Sequence, residues 1–409
     1  MVAQNSTVSE NRLEQNFPRR IMHVGKYFPP TRGGMESFLH DLIIEQKKQG
    51  LEVQAVVHRT EKSLRSISET YKSDNASVTV IRVARWFTFF FAPISPSFGV
   101  ELWRAIRDFK PDIIHLHMPN LSAFWCLVLP NARKISWVVH WHSDIIASTN
   151  KLTLSAFYRI YKHPETWLLR SCKKIIATSP PYLKASIPLS PYLHKTSVVP
   201  LGTRSIFSAE HENIVPADFS YKPEGDSLVR VLTVARLTYY KGLDLLLHAI
   251  SQVPHATLTL IGDGKEAHNL LKIAKRLKLG TRFTHIKDCS NEELRLQYLK
   301  HDLFCLASTE RTEAFGVVLL EAMQAGLPCL VSEVPGSGMS WVVDSPSCGY
   351  SVTAGSAAAL ADKLKEIPAN PEQMEVISRN AKARFNQLFT ISNCASAIQK
   401  VYNSAAPEK

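Results

Sequence analysis

The chain has 409 residues, 45% of them hydrophobic, with 48 Lys and Arg against 36 Asp and Glu, a net charge of +12. That length suits two domains with separate cores, and no repeat or low-complexity tract interrupts it. No apolar run approaches the roughly 18–20 residues of a membrane-spanning helix, and seven cysteines without a C-x-x-C spacing favour reduced thiols in a cytoplasmic compartment.

The charge is unevenly spread. Residues 1–200 hold 26 Lys and Arg against 14 Asp and Glu, whereas residues 201–409 hold 22 of each, so the entire excess lies in the first half. A basic face there suits anionic lipid, a phosphate-bearing substrate or nucleic acid, set against a plain solvated surface.

Residues 1–19 read as a polar tail without a signal-peptide core. "RIMHVGKYF" (20–28) then reads as a strand and "MESFLHDLIIEQKKQG" (35–50) as a helix closing on Gly50. "LEVQAVV" and "VTVIRVA" are strands, and "WFTFFFAPISPSFGV" (86–100) is kept from helix by Pro93 and Pro96. "ELWRAIRDFK" is a helix stopped by Pro111, and "PDIIHLH", "ISWVVHWH" and "KKIIATS" are strands. Buried β-rich runs between helices signal a parallel sheet covered on both faces. "TSVVPLGTRSIF" (196–207) is a strand running into a turn. The domain spans 20–205, with a linker over 206–227.

The alternation restarts over 228–380. "SLVRVLTVAR", "ATLTLIG", "TRFTHI", "LFCLAS" and "PCLVS" are strands. "GLDLLLHAI", "GKEAHNLLKIAKRLKLG", "NEELRLQYLKHD" and "FGVVLLEAMQAG" are the helices between them. "AKARFNQLFTISNCASAIQKVYNS" has helical periodicity, and residues 381–409 are expected to cross back to the first domain. Two doubly wound α/β domains in tandem place a ligand cleft at the carboxyl ends of the strands.

Three constellations carry chemistry. In "EAFGVVLLEAMQAG" (313–326), Glu313 and Glu321 stand eight apart on roughly one face of a helix expected to start near Phe315. The N–H groups of Phe315, Gly316 and Val317 would form a phosphate cradle there. Carboxylates on either side of it can accept hydrogen bonds from sugar and ribose hydroxyls, which describes a nucleotide sugar; a helix-start carboxylate and a solvent-facing one are the plainer alternative. Arg236 and Lys241, five apart on one turn at an open ligand edge, can clamp a diphosphate and should carry little packing. Gly33 and Gly34 in "FPPTRGGMES", and the glycines of "LIGDGK" (260–265), are weaker phosphate-loop signals.

"RGGMES" near the start, "HWHSD" in the first half, "ARLTYYKG" and "STERTEAFGVVLLEAM" with its E-x7-E together resemble, in the family's order and spacing, the retaining glycosyltransferases of family 4, with the GT-B fold. The resemblance covers nearly the whole chain after the tail. It implies that Arg236 and Lys241 bind the donor diphosphate, Glu313 the transferred sugar, and Glu321 the ribose. Phe315, Gly316 and Val317 would offer backbone amides, and Gly33 and Gly34 would close on the donor. His142 would sit beside the sugar and Ile286 near the base. "HWHSDI", "ATSPPYL" and "PGSGMSWVV" further resemble bacterial mannosyl- or rhamnosyltransferases of surface polysaccharides. The resemblance thus points to GDP-mannose as donor and a lipid-linked glycan as acceptor, with no cofactor, no metal and no nucleic acid. A UDP- or dTDP-sugar used on a soluble acceptor is the second reading. Asp144 is the nearest candidate for a carboxylate beneath the anomeric carbon.

The main rival lies in the histidines. His115 and His117, and His140 and His142, each end a strand at i, i+2 spacing, which points both rings to one face. Four imidazoles could meet as a hydrolytic metal site. Finally, Trp86, Phe87, Phe89, Phe90 and Phe91 beside Arg82 and Arg85 suggest a patch that docks on the cytoplasmic face of a membrane, with plain core packing as the alternative.

Overall fold

A computed structural model describes residues 18–31, 33–73, 76–89, 92–145, 152–207 and 229–406. It divides into two compact units, one of residues 1–177, 187–199 and 394–409, the other of residues 178–186 and 200–393. Most of the expected linker, and Phe90 and Phe91, lie outside the described residues.

The first unit is built on an eight-stranded sheet. In chain order its strands are β1 (Arg20–Val24), β2 (Glu52–His58), β3 (Ile67–Ser73), β4 (Ala76–Val83), β7 (Ile113–Met118), β8 (Ser136–Trp141), β9 (Lys174–Ala177) and β10 (Thr196–Val198). They are ordered β10-β9-β8-β7-β1-β2-β4-β3. All neighbouring pairs are parallel except β3 with β4. β3 was not expected: its sequence, ISETYKS, has no apolar face, and it is an exposed edge strand held by backbone pairing to β4. The Pro93–Pro96 region forms a two-stranded hairpin, β5 (Phe87–Phe89) with β6 (Ala92–Ile94). The strand expected to open 196–207 before a turn runs from Thr196 to Val198, and Pro200, which cannot donate to a ladder, follows it. Helices α1 (Gly34–Lys48), α2 (Phe98–Phe109) and α3 (Leu152–Ser171) belong to this unit. β7 and β8 are buried at all six positions each, as strands covered on both faces must be.

The second unit has a six-stranded, wholly parallel sheet of β11 (Val229–Val234), β12 (Ala256–Ile261), β13 (Phe283–Ile286), β14 (Leu303–Leu306), β15 (Cys329–Glu333) and β16 (Tyr350–Thr353). The strand order is β13-β12-β11-β14-β15-β16. Its helices include α4 (Leu243–Ser251), α5 (Ala267–Arg276), α6 (Asn291–Lys300), α7 (Val317–Gln324) and α8 (Pro371–Arg384). Val229 and Val231 of β11, Leu258 and Leu260 of β12, and Leu246, Leu247 and Ile250 of α4 belong to one buried core cluster.

The expected unbroken helix over 381–404 is two. α8 ends in a π-helical turn, Phe385–Phe389, and α9 (Ile391–Ala405) starts after Thr390. The break is anchored: the Thr203 N–H donates to Phe389 O at 3.0 Å and the Ile391 N–H to Thr203 O at 3.0 Å. Phe389 is fully buried against Phe315 and Trp341 at 6.0 and 5.9 Å between ring centroids. Residues 394–406 of α9 belong to the first unit.

Candidate active site

In the second unit the chemistry gathers where strands β11 and β14 end. Arg236 and Lys241 follow β11. Lys241 closes a 3₁₀ turn, Tyr239–Lys241, that ends on Gly242. Gly242 has φ +61°, and a Cβ there would stand 2.1 Å from the Ala307 carbonyl oxygen. Only glycine lets this turn approach the end of β14 so closely. The Thr309 N–H then donates to Tyr240 O at 2.8 Å and ties the two loops together.

This approach pairs the Lys241 ammonium with the Glu313 carboxylate. Both side chains are almost buried, at 10% and 13% exposure. The sequence reading put Arg236 and Lys241 alike at an open edge with little packing. Arg236 is exposed there, whereas Lys241 is a buried partner of Glu313. The reason is the glycine-permitted contact between two loops that are distant in sequence.

Glu313 is not on the helix. α7 starts at Val317, and Gly316, its N-cap at φ +79°, is left-handed and cannot continue a helix backwards. The expected common helix face of Glu313 and Glu321 therefore does not exist. Glu313 is held by its loop: its N–H donates to Glu310 O at 3.0 Å, the Ser337 hydroxyl donates to its carbonyl, and the Gly338 N–H donates to Ala314 O at 2.8 Å. The Phe315 ring is buried against Trp341 and Phe389, which pins the loop. The Leu319 N–H donates back to Gly316 O at 2.9 Å, the two amides before it have no partner within the helix, and the helix dipole favours an anion at that end.

Glu321 lies within α7 and accepts from the Tyr298 hydroxyl of α6 at 2.8 Å. Burial and the neighbouring Glu321 carboxylate push the Tyr298 phenol well above its ordinary range, so it stays an O–H donor. Tyr298 carried no sequence signal beyond an apolar position in "NEELRLQYLKHD".

Ile286 ends β13, half-buried, and the Gly262 N–H donates to its carbonyl at 2.9 Å. The "LIGDGK" glycines serve packing. Gly262 has φ +132°, and a Cβ there would meet Ala235 O at 2.0 Å. The Leu237 N–H donates to Asp263 O at 2.9 Å, which braces the Arg236 loop against this turn.

In the first unit Gly33 is the N-cap of α1 and Gly34 its first residue, both exposed. A Cβ on Gly33 would meet only the Glu36 side chain, at 2.3 Å.

The histidines do come together, and a fifth joins them. His23 of β1 pairs in register with His115, and His117 with His140. Alternation in "RIMHV" was the available signal for His23, which the sequence reading passed over. His140 and His142 stack at 4.4 Å with planes 6° apart, and His115 and His117 at 4.5 Å and 22°. All five rings are buried. Desolvation holds them neutral: it lowers His23 to about 4 and His142 to about 3, and His115, His117 and His140 well below the ordinary value.

Nitrogens of His23, His115 and His117, and of His117, His140 and His142, lie within 4.8 Å of one another. Metal ligation needs in-plane lone pairs that converge on one point. The stacked rings of His117, His140 and His142, within 19° of parallel, do not provide that, whereas His23 is tilted 40° to His115 and 30° to His117. Both nitrogens of His117, shared by the two groups, are committed at 3.0 Å to His23 and His142.

Close by in sequence, the Trp141 indole N–H donates to Asp144 at 2.7 Å. Glu165 of α3 is only 2% exposed and accepts from the Tyr158 hydroxyl at 3.2 Å. Burial, with the Asp144 charge adding to it, pushes its carboxyl up to about 7. No motif singled Glu165 out.

The aromatic patch is partly open: Trp86, Phe87 and Phe89 are 39%, 51% and 48% exposed. Arg82 does not face outward with them. It is buried, paired with Glu69 at 2.7 Å, and it donates to Phe28 O at 3.4 Å and to Pro29 O. No described helix is long and apolar enough to cross a membrane.

Comparison with known proteins gives these features a family. Residues 32–204 match the family described as Glycosyltransferase Family 4, and residues 219–384 match Glycosyl transferases group 1. The chain is 26% identical over 393 residues to O-antigen chain mannosyltransferase C of Escherichia coli, covering 95% of this chain and 100% of that protein. It is 29% identical over 308 residues to D-rhamnosyltransferase WbpZ of Pseudomonas aeruginosa, covering 72% and 75%. Among solved structures, sucrose-phosphate synthase of Thermosynechococcus elongatus superposes with a TM-score of 0.76 at 21% identity, over 94% of this chain and 98% of that one. Anabaena HepE, in complex with UDP-glucose, gives a TM-score of 0.67 at 18% identity over 93% and 98%. Two parallel α/β units, these two family matches and this structural likeness make the chain a glycosyltransferase of the GT-B fold, in family 4.

Proposed function

We propose that the protein moves a hexose, mannose from GDP-mannose as first choice, from a nucleotide sugar to a hydroxyl of a lipid-linked glycan in surface polysaccharide synthesis, with retention. The mannosyl- and rhamnosyltransferase relatives support the sugar class. The observation that carries the reading is the arrangement around α7. A carboxylate held by a buried lysine precedes the helix start, and a second carboxylate held by a tyrosine lies inside the helix. Glu313 and Glu321 accept sugar and ribose hydroxyls, the amides of Phe315, Gly316 and Val317 face the phosphates, and Ile286 borders the base. Arg236 and Lys241 neutralise the leaving diphosphate. Fixed cations make a divalent metal unnecessary, and the stacked histidines are poorly disposed to bind one. Gly33 and Gly34 leave backbone open to the donor, and His142 contacts the sugar.

Purified protein incubated with GDP-mannose, UDP-glucose and dTDP-rhamnose, with release of nucleoside diphosphate as the readout, tests this. Fastest release from GDP-mannose, undiminished by chelator, is the expected result. Preference for a UDP-sugar would replace the donor, and loss of turnover in chelator restored by one metal would overturn metal independence.

The exposed Trp86, Phe87 and Phe89 favour docking on an anionic membrane surface, where the acceptor lipid resides. Flotation with anionic liposomes that weakens in salt supports this. Protein that stays unbound to both anionic and neutral vesicles makes a soluble acceptor the better reading.

A further inference from the structure

Tyr402 of α9, Gln46 of α1 and four of the core histidines form one continuous hydrogen-bonded chain, and its direction can be read. The Tyr402 hydroxyl and His115 Nδ1 are 2.6 Å apart. That length belongs to an O–H donor; N–H to oxygen bonds cluster near 2.9–3.0 Å. A phenol is also a far stronger acid than a neutral imidazole N–H, and burial keeps Tyr402 protonated. Tyr402 therefore donates to His115. Having spent its one proton, it can only accept from Gln46, whose Nε2 is 3.0 Å away.

That orients the Gln46 amide. Its Oε1 faces His23 Nε2 at 2.8 Å, so the His23 Nε2–H donates to it. Each ring is neutral and carries one proton. His23 Nδ1 is then bare and accepts from the His117 Nε2–H at 3.0 Å. His117 Nδ1 accepts in turn from the His142 Nε2–H at 3.0 Å. The chain ends at His142 Nδ1, a buried nitrogen with no hydrogen-bond partner among the described residues.

We propose that the chain Gln46–His23–His117–His142 holds His142 in its Nε2–H tautomer, so that its bare Nδ1 accepts a hydrogen bond from a sugar hydroxyl. Gln46, His23 and His117 are then positioning residues. The substrate part of this rests on the hexosyltransfer reading above; the tautomer part does not. A reversed amide at Gln46 would reverse every bond along the chain and present an N–H at His142 instead. One side chain on α1 thus decides whether this position offers an acceptor or a donor.

The test uses full-length protein labelled with 15N-histidine. Long-range proton–nitrogen correlation separates the two tautomers, and His142→Gln assigns the His142 signals. The wild type should show a single Nε2–H form at His142. Gln46→Glu, which still accepts from His23, should keep that form. Gln46→Met, of similar size but without the acceptor, should give a mixture, with kcat reduced about tenfold and KM changed much less. An Nδ1–H form in the wild type overturns the proposal, as does a single unchanged form in Gln46→Met. If Gln46→Met does not fold, the wild-type and Gln46→Glu spectra still decide. An Nε2–H form at His142 in a protein that turns over none of the sugar nucleotides upholds the chain's direction while overturning the hexosyltransfer reading.

Discussion

Lowering the pH from 7.5 to 5.5 should unfold the first unit selectively. His23, His58, His115, His117, His140 and His142 all have pKa values lowered by burial, His58 to about 4. The unfolded chain, with ordinary values near 6.5, therefore binds protons before the folded one does. The stability these rings carry is present above pH 6.5 and is lost as pH falls toward their folded values. Between pH 7.5 and 5.5 each ring costs between about 1 and 2 kcal/mol, and the six together about 8 kcal/mol. Glu165 acts in the opposite sense: its folded carboxyl titrates near 7, so acidification relieves roughly 2 kcal/mol of its burial cost. The net loss of about 6 kcal/mol is comparable to the whole stability of a domain. Of the seven tryptophans only Trp341 lies in the second unit, so urea unfolding followed by tryptophan fluorescence reports the first. The midpoint should fall by roughly 2–3 M urea. His140→Phe removes a ring whose two nitrogens have no hydrogen-bond partner among the described residues, and it should raise the midpoint at pH 5.5. A wild-type midpoint that is the same at both pH values would refute the argument that these histidines are neutral because they are desolvated.

Three further outcomes follow from the second unit. Glu313→Gln should fold and lose tenfold to a hundredfold in turnover, since a charged acceptor is worth roughly 1.5–3 kcal/mol; near-wild-type turnover in a nucleoside diphosphate release assay would remove it from the site. Arg236→Ala should lower turnover with an unchanged melting curve, whereas Lys241→Ala should lower both, because stranding a buried Glu313 costs about 3–5 kcal/mol; identical melting of the two variants would show that the buried pair carries no stability. Tyr298→Phe should raise the donor KM about tenfold with kcat much less affected, and an unchanged KM would separate Tyr298 from ribose recognition.

Much of the fold was legible because parallel strands buried on both faces leave long apolar runs. "PDIIHLH", "ISWVVHWH" and "LFCLAS" announced β7, β8 and β14 in this way. β3 was not legible, since Tyr71 is the one apolar side chain among its half-buried positions and pairing with β4 defines the strand. The break after Phe389 was hidden because helical periodicity continues through it, and it is a contact with Thr203 that sets it.

The sequence by itself determined the residue types of the candidate site and their order: two cations after one strand, then two carboxylates eight apart with a glycine between them; that Gly316 stands outside the helix as its left-handed cap was decided by the structure. The sequence also determined that the paired histidines of β7 and β8 share one sheet face, because a strand alternates with period two. Only the tertiary structure decided who pairs with whom. Lys241 meets Glu313 through a turn that Gly242 allows to approach Ala307, and Tyr298 meets Glu321 from another helix. His142 is joined to Gln46 through His23 and His117, rings carried on separate parallel strands. Such partners lie tens to hundreds of residues apart, and local periodicity carries no information about which of many compatible side chains a crossover will bring within hydrogen-bond reach.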